Sequence, residues 1–226
     1  RTGGRDDCHD VYISPNGFHM SVTNEQGRIY DFKLSTPFQL KGATLKAGYL
    51  NPFVNAPVRG DDIWFSHDGS KLFVIDVAGD NLKEYTTVSP FNSRNVTLIN
   101  TVDLTSEAAI DGTETAHDFF FDKSGRTLMV LVNDTGDGEH DDTIFQFSLS
   151  VAFDTTTLTL VGSSVISGYD GTEDNSDAVG ISFGNGGTRL YILNLNGHHE
   201  IYSNVQTYKF FLLFLNYFDS NFLKFP

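Results

Sequence analysis

The stretch Phe65-Ser-His-Asp-Gly69-Ser-Lys-Leu72 decides the fold, because its pattern occurs three more times along the chain. The pattern is an apolar residue, a glycine four positions later, and a second apolar residue three positions after the glycine. The glycines are 52, 56 and 62 residues apart, so the chain is a tandem repeat. The other copies are Ile13-Ser-Pro-Asn-Gly17-Phe-His-Met20, Phe121-Asp-Lys-Ser-Gly125-Arg-Thr-Leu128 and Phe183-Gly-Asn-Gly-Gly187-Thr-Arg-Leu190.

A second recurring block follows each glycine and contains a phenylalanine at or near its end. Its first three copies are Tyr30-Asp-Phe32-Lys-Leu34-Ser-Thr-Pro37-Phe38, Lys83-Glu-Tyr85-Thr-Thr-Val88-Ser-Pro90-Phe91 and Phe145-Gln-Phe147-Ser-Leu149-Ser-Val-Ala-Phe153-Asp154. The fourth, Leu212-Leu-Phe214-Leu-Asn-Tyr-Phe218-Asp219, keeps only the alternation and the Phe-Asp step. Residues 208–226 are therefore either the last strand of a fourth repeat or an aberrant, Phe-rich terminus.

Each repeat contains four short alternating apolar segments, and glycine supplies the positive φ that a tight turn between two of them requires. Four antiparallel strands in a unit of this length form one propeller blade. We predict an all-β chain, a single β-propeller domain over residues 1–226 with blades at 9–60, 61–116, 117–178 and 179–226. We expect an open arc that belongs to a larger propeller, rather than a closed ring of four. The residues predicted to be buried between blades are Phe65, Leu72, Val74, Tyr85, Phe121, Leu128, Val130, Phe147, Phe183, Leu190 and Ile192.

Composition narrows the function. The chain has 226 residues, a formal net charge of −14 and one cysteine, Cys8. Such an acidic surface repels phosphate backbones, so we expect no nucleic-acid partner. The most apolar stretch, 210–215, is far shorter than the roughly 20 residues of a spanning helix, so we expect no membrane span. A single cysteine allows no internal disulfide.

The phrases Leu34-Ser-Thr-Pro-Phe38, Val88-Ser-Pro-Phe91 and Leu149-Ser-Val-Ala-Phe-Asp154 resemble a propeller repeat of marine phage virion structural proteins and marine bacterial surface proteins. The stretch from Phe65 to Val74 is similar to the hairpin of NHL- and lactonase-type propellers. The resemblance implies a propeller at a virion or cell surface, outside the cell. It is weaker at Ser124-Gly125 and Gly186-Gly187, which replace the Asp-Gly turn.

The first candidate site is a set of aspartates, Asp10, Asp62 and Asp118, each three residues before its repeat's apolar anchor. The innermost strand of a propeller blade begins there, so three carboxylates could surround a cation near the central channel. The interpretation that we favour is that each bonds nearby backbone N–H groups. His9 and His117 precede two of these aspartates and could bind a transition metal, although their blades are not adjacent.

Two acidic segments are candidate calcium loops. Asp-Gly-Thr-Glu occurs twice, at Asp111–Glu114 and Asp170–Glu173, where duplication of a soluble turn explains the repetition better than an ion does. An insertion in the third repeat has five acidic residues but lacks the order of an EF-hand, so a solvated loop is the expected state. Those five residues are Asp134, Asp137, Glu139, Asp141 and Asp142.

Two functions remain open. We expect a binding, adhesion or structural module that recognises a protein or glycan through its rim loops, with further blades of the same polypeptide as another partner. The alternative is a metal-dependent hydrolase or lactonase with its site at the channel. We favour binding or structure over catalysis, because the three aspartates are repeat-equivalent, whereas catalysis needs unlike groups with separated pKa values. We expect no cofactor apart from calcium at the acidic loops.

Overall fold

A computed structural model describes residues 8–24, 27–46, 60–107, 114–134, 142–166, 178–184 and 189–194. Within these ranges the chain is mostly β-strand. The α-helical residues among them are the four of α1 (Leu104–Glu107), and a 3-10 turn covers Thr155–Thr157. The prediction of an all-β chain with almost no helix is confirmed for this part of the molecule.

Three sheets of four antiparallel strands follow one another, and the strands of each sheet pair in chain order. Blade 1 contains β1 (Cys8–Ile13), β2 (His19–Asn24), β3 (Ile29–Lys33) and β4 (Thr44–Leu45). Blade 2 contains β5 (Gly60–Phe65), β6 (Lys71–Asp76), β7 (Asn81–Thr86) and β8 (Thr97–Asp103). Blade 3 contains β9 (Glu114–Phe121), β10 (Thr127–Asp134), β11 (Thr143–Leu149) and β12 (Leu158–Val165).

Blade 4 is described as one antiparallel pair, β13 (Ala178–Gly184) and β14 (Arg189–Asn194). The rest of the predicted fourth blade, including residues 208–226, lies outside the described residues. The first strands begin at Cys8, Gly60, Glu114 and Ala178, one to three residues before the starts predicted from the repeat.

One turn is built in the same way in the first three blades. The repeat glycine has a left-handed backbone, and the phenylalanine that closes the second block does too, although it is not a glycine. The phenylalanine N–H donates to the glycine carbonyl oxygen. This bond joins the loop between the third and fourth strands of a blade to the turn between its first two strands. The pairs are Gly17 (φ 72) with Phe38 (φ 59) at 3.0 Å, Gly69 (φ 71) with Phe91 (φ 52) at 3.1 Å and Gly125 (φ 68) with Phe153 (φ 55) at 2.8 Å.

The hydrophobic core is divided into three layers, one at each junction between consecutive blades. The middle layer packs Phe73 and Ile75 of β6 against Phe119 and Phe121 of β9. Alternate residues of a strand point to opposite faces of its sheet, so Leu72 and Val74 of the same strand contribute to the layer shared with blade 1. Met129, Leu131 and Ile144 of blade 3 join blade 4 in the third layer through Ala178, Ile181, Leu190 and Ile192.

The predicted set of buried residues largely matches these layers. Ten of its eleven members are buried. Phe183 is half-buried, packed against the third layer and against the ring of Phe120 at 5.3 Å between centroids. The repeat frame read from the sequence is therefore the frame of the structure.

Candidate functional site at the inner edge of the blades

The first strands of successive blades lie side by side, since β1 contacts β5, β5 contacts β9 and β9 contacts β13. Each first strand has a β-bulge near its start, where its register with the second strand shifts. Bulges re-aim side chains and are common beside functional sites. Asp10, Asp62 and Asp118 stand at this bulge in blades 1 to 3, and Gly180 takes the place in blade 4.

Each of these aspartates accepts hydrogen bonds from two backbone N–H groups, one in its own blade and one in the next. Asp62 Oδ1 accepts from Ile63 N at 2.7 Å, and its Oδ2 accepts from Phe119 N at 3.0 Å. Asp10 repeats this with Val11 N and Ile63 N, and Asp118 repeats it with Phe119 N and Ile181 N. The local bond is the one that the sequence suggested, and the second bond joins neighbouring blades.

The three carboxyl groups interact with one another. Burial raises the pKa of Asp62 well above its usual range, and the charges of Asp118 and Asp10 raise it further. Burial also raises the pKa of Asp118, to about 6, while hydrogen bonds from the Asp62 carboxyl and from backbone N–H groups act in the opposite direction. Both carboxyl groups therefore hold a proton to a higher pH than a free aspartate does.

The two predicted histidines stand just before this row and are half-buried. Burial raises the pKa of Asp80, and the Ala116 N–H and the charge of His117 oppose that rise, so His117 lies near the turn between β6 and β7. In the part of the chain that the structure describes, no three His, Cys, Asp or Glu side chains are grouped as a metal site. A metal held by His9 and His117 stays a prediction.

The calcium candidates are only partly described. Asp142 is buried and its Oδ2 accepts from Ala178 N of blade 4 at 2.8 Å. Asp134 is the last residue of β10 and Glu114 is the first of β9. The remaining candidates, Asp111, Asp137, Glu139, Asp141, Asp170 and Glu173, lie outside the described residues.

Sequence reasoning missed a second pair of carboxylates that join blades. Asp31 Oδ2 in β3 accepts from the N–H and the hydroxyl of Ser93 in blade 2, each at 2.8 Å. Glu84 in β7 holds Thr155 of blade 3 in the same way. Both acids are buried in the middle of a strand, where a charge requires a partner. An acid before an aromatic residue at the same repeat position, Asp31-Phe32 and Glu84-Tyr85, was the available signal.

Asp80 and Asp142 form a third kind of junction. Each precedes the third strand of its blade and accepts from the N–H of an alanine in the first strand of the next blade, Asp80 from Ala116 at 3.0 Å and Asp142 from Ala178 at 2.8 Å. In all seven such bonds the carboxylate belongs to the earlier blade and the N–H to the later one. The junctions therefore have a direction.

Comparison with solved structures identifies the architecture. The periplasmic gluconolactonase PpgL of Pseudomonas aeruginosa matches 84% of this chain and 47% of its own at 20% identity, with a TM-score of 0.55. The fold is a β-propeller. A protein from Lactobacillus plantarum (18% identity, 84% and 48% covered, TM-score 0.56) and a putative 6-phosphogluconolactonase from Bacteroides fragilis (16%, 85% and 49%, 0.50) are similar to the same extent.

This propeller spans about half the length of those structures. At such identities the likeness establishes the fold and leaves the activity open. No protein-family model matches the sequence, and no curated protein matches it either. Among the described residues no helix is long and apolar enough to cross a membrane.

Proposed function

We propose that this chain is part of a lactonase-type propeller that hydrolyses a sugar lactone at the inner edge of its blades, outside the cytoplasm. The supporting observation is its likeness in fold to a periplasmic gluconolactonase and to a putative 6-phosphogluconolactonase. This likeness favours the hydrolase alternative over the binding or structural module that the repeat suggested.

Asp118 is the candidate general base. Hydrolysis adds water to the lactone carbonyl, and the ester bond then breaks as the ring oxygen leaves and takes up a proton. A base with a pKa near the working pH suits this chemistry, and the pKa of Asp118 is about 6. The pKa of Asp62 beside it is raised as well, by burial and by the charges of Asp118 and Asp10, so the two carboxyl groups act as an interacting pair.

The same three aspartates do not fit a divalent cation. Every carboxylate oxygen of Asp10, Asp62 and Asp118 already accepts a backbone N–H. Burial and the charges of Asp118 and Asp10 also raise the pKa of Asp62, which opposes the deprotonated form that a metal ligand needs. The proposed reaction therefore has no step that uses a metal held by these residues.

The test is hydrolysis of glucono-1,5-lactone by the purified chain near pH 6.5, followed with a pH indicator after subtraction of the spontaneous rate. We expect a rate above that background and a loss of about 10²-fold or more in Asp118→Asn, the usual contribution of a general base. Asp103→Asn is the control, because Asp103 is exposed on β8. A folded chain whose rate equals the spontaneous rate contradicts the proposal.

The second candidate is the binding or structural module, which one observation favours. The aspartates at the inner edge are engaged in joining blades, which is a sufficient reason for their repetition. Such a module, on a virion or microbial surface, would bind a protein or glycan through its rim loops. Calorimetry on the same samples separates the two: saturable binding of a glycan without turnover supports the module.

A further inference from the structure

One face of blade 1 differs from the matching faces of the later blades. We define the leading face of a blade as the apolar surface that its first three strands and its closing phenylalanine turn toward the preceding blade. In blade 2 this face is buried against Tyr12 and Ile29 of blade 1. Its members are Ile63, Phe65, Leu72, Val74, Tyr85 and Phe91.

Most of the same positions are buried in the later blades. In blade 3 the strand members are Phe119, Phe121, Leu128, Val130 and Phe147, none more than 2% exposed, and the closing Phe153 is half-buried. In blade 4, Ile181, Leu190 and Ile192 are buried and Phe183 is half-buried. A blade of this repeat therefore packs its leading face against the blade that precedes it.

In blade 1 the described residues of the leading face are more exposed. Val11 and Phe38 are each 53% exposed, whereas their counterparts Ile63 and Phe91 in blade 2 are 1% and 6% exposed. The remaining positions, Ile13, Met20, Val22 and Phe32, are only half-buried. A contiguous apolar surface of this kind marks a site of interaction.

The polar contacts define what the neighbour brings. Ile63 N donates to its own Asp62 and to Asp10 of the preceding blade, whereas Val11 N donates to Asp10 of its own blade. Further out, Ser93 and Thr155 are held by Asp31 and Glu84 of the preceding blade. Leu40 takes this place in blade 1 and is 64% exposed.

We propose that the leading face of blade 1 is a docking surface for a further blade of the same repeat, joined ahead of blade 1. That blade carries an aspartate at the position of Asp62, aimed at Val11 N, and covers Phe38 with the counterpart of Lys71. A lysine already makes this contact at two junctions of the chain. Lys46 of blade 1 donates to the Phe91 carbonyl oxygen of blade 2, and Lys71 of blade 2 donates to the Phe153 carbonyl oxygen of blade 3.

Blade 4 is a poor candidate for this neighbour, whether it comes from the same chain or from a second copy. It has Gly180 where the preceding blade needs its aspartate, so it offers no carboxylate to Val11 N. The similar propellers are also about twice as long as this chain, which agrees with additional blades.

The experiment joins a copy of residues 61–116 directly ahead of residue 9, which reproduces the native junction between blades 2 and 3. Hydrogen exchange of the Val11 amide is measured in the original and the extended chains, with the Ile63 amide as internal reference. We expect the added blade to slow Val11 exchange at least tenfold, to the range of Ile63. Changing Asp62→Asn in the added copy alone should reverse most of the protection.

Three outcomes overturn the proposal. In the first, Val11 exchanges equally fast in the extended and original chains, although both are folded by circular dichroism. In the second, the original chain is a monomer by sedimentation and Val11 is already as protected as Ile63, so the chain covers its own face. In the third, Val11 becomes protected only at concentrations where the original chain dimerises, which identifies a second copy as the occupant.

Discussion

Glu84 Oε2 accepts two hydrogen bonds from Thr155 of the next blade, from its N–H at 2.8 Å and from its hydroxyl at 2.6 Å. The other oxygen, Oε1, pairs with Lys71 Nζ at 2.6 Å, and the Glu84 side chain is fully buried. Every acceptor atom of this buried carboxylate is therefore occupied, which compensates for the loss of its hydration.

Removing the Glu84 charge should loosen the junction between blades 2 and 3. Glu84→Ala leaves Lys71 without its carboxylate partner and the Thr155 N–H without its acceptor, so we expect a loss of about 3–5 kcal/mol in the free energy of unfolding. Urea denaturation measures it. A double-mutant cycle of Glu84→Gln with Thr155→Val should give a coupling of at least about 1 kcal/mol, and a coupling near zero contradicts the direct bond.

Gly69→Ala should destabilise the hairpin of blade 2. Gly69 has φ +71, and a Cβ there would lie 2.5 Å from the Phe91 backbone nitrogen, an atom that cannot rotate away. We expect a loss of about 1–3 kcal/mol from strain and displacement of Phe91. Gly79→Ala is the matched control, because its Cβ would come close only to the end of the Asn81 side chain and would be in ordinary contact with Asp76 Oδ2 at 3.8 Å. Equal losses in the two variants count against this account.

The closing phenylalanines should differ in energy according to their burial. Phe91 is 6% exposed and stacks on His19 at 5.1 Å, whereas Phe38 is 53% exposed. Phe91→Ala should cost about 3–5 kcal/mol. Phe38→Ala should cost less than about 1 kcal/mol, as surface substitutions usually do. Thermal and urea unfolding of both variants measure this, and a cost for Phe91→Ala below about 1 kcal/mol would reduce its motif to a surface turn.

The aspartate row should make stability depend on pH between about 4 and 6. The pKa of Asp118 is raised from 3.8 to about 6 in the folded chain, so the folded state binds more protons than the unfolded state in this interval. Its contribution is complete below about pH 4 and is lost as pH rises through 6, by up to about 3 kcal/mol.

Urea denaturation at several pH values tests this sign. Hydrogen bonds from nearby serine or threonine residues lower the pKa of Asp68, Asp103 and Asp154. Their contribution to the stability of the fold therefore decreases as pH falls. The difference between the wild type and Asp118→Asn isolates the row from them. That difference should favour the wild type most at low pH, and a difference that grows as pH rises refutes the assignment.

The sequence predicted the blades well because their determinants are local. The spacing from Phe65 to Gly69 and Leu72 defines one hairpin. Because this spacing recurs in each repeat, it predicts the position of the described strands. The junctions are different, because Glu84 and Thr155 are 71 residues apart and Asp62 and Phe119 are 57 apart. A backbone N–H has no side-chain signature, so the residue that receives Asp62 could not be found from the sequence.

The direction of the junctions has a consequence for how such a gene can change. The later blade contributes mainly main-chain amides at the inner edge, which every residue except proline possesses. A duplicated unit therefore arrives with its own acid and finds a ready donor in whatever unit follows, without a compensating substitution elsewhere. Unequal recombination can therefore lengthen or shorten the array by whole units. Substitution of inner-edge side chains in one unit also leaves its backbone N–H groups able to bond the aspartate of the preceding unit.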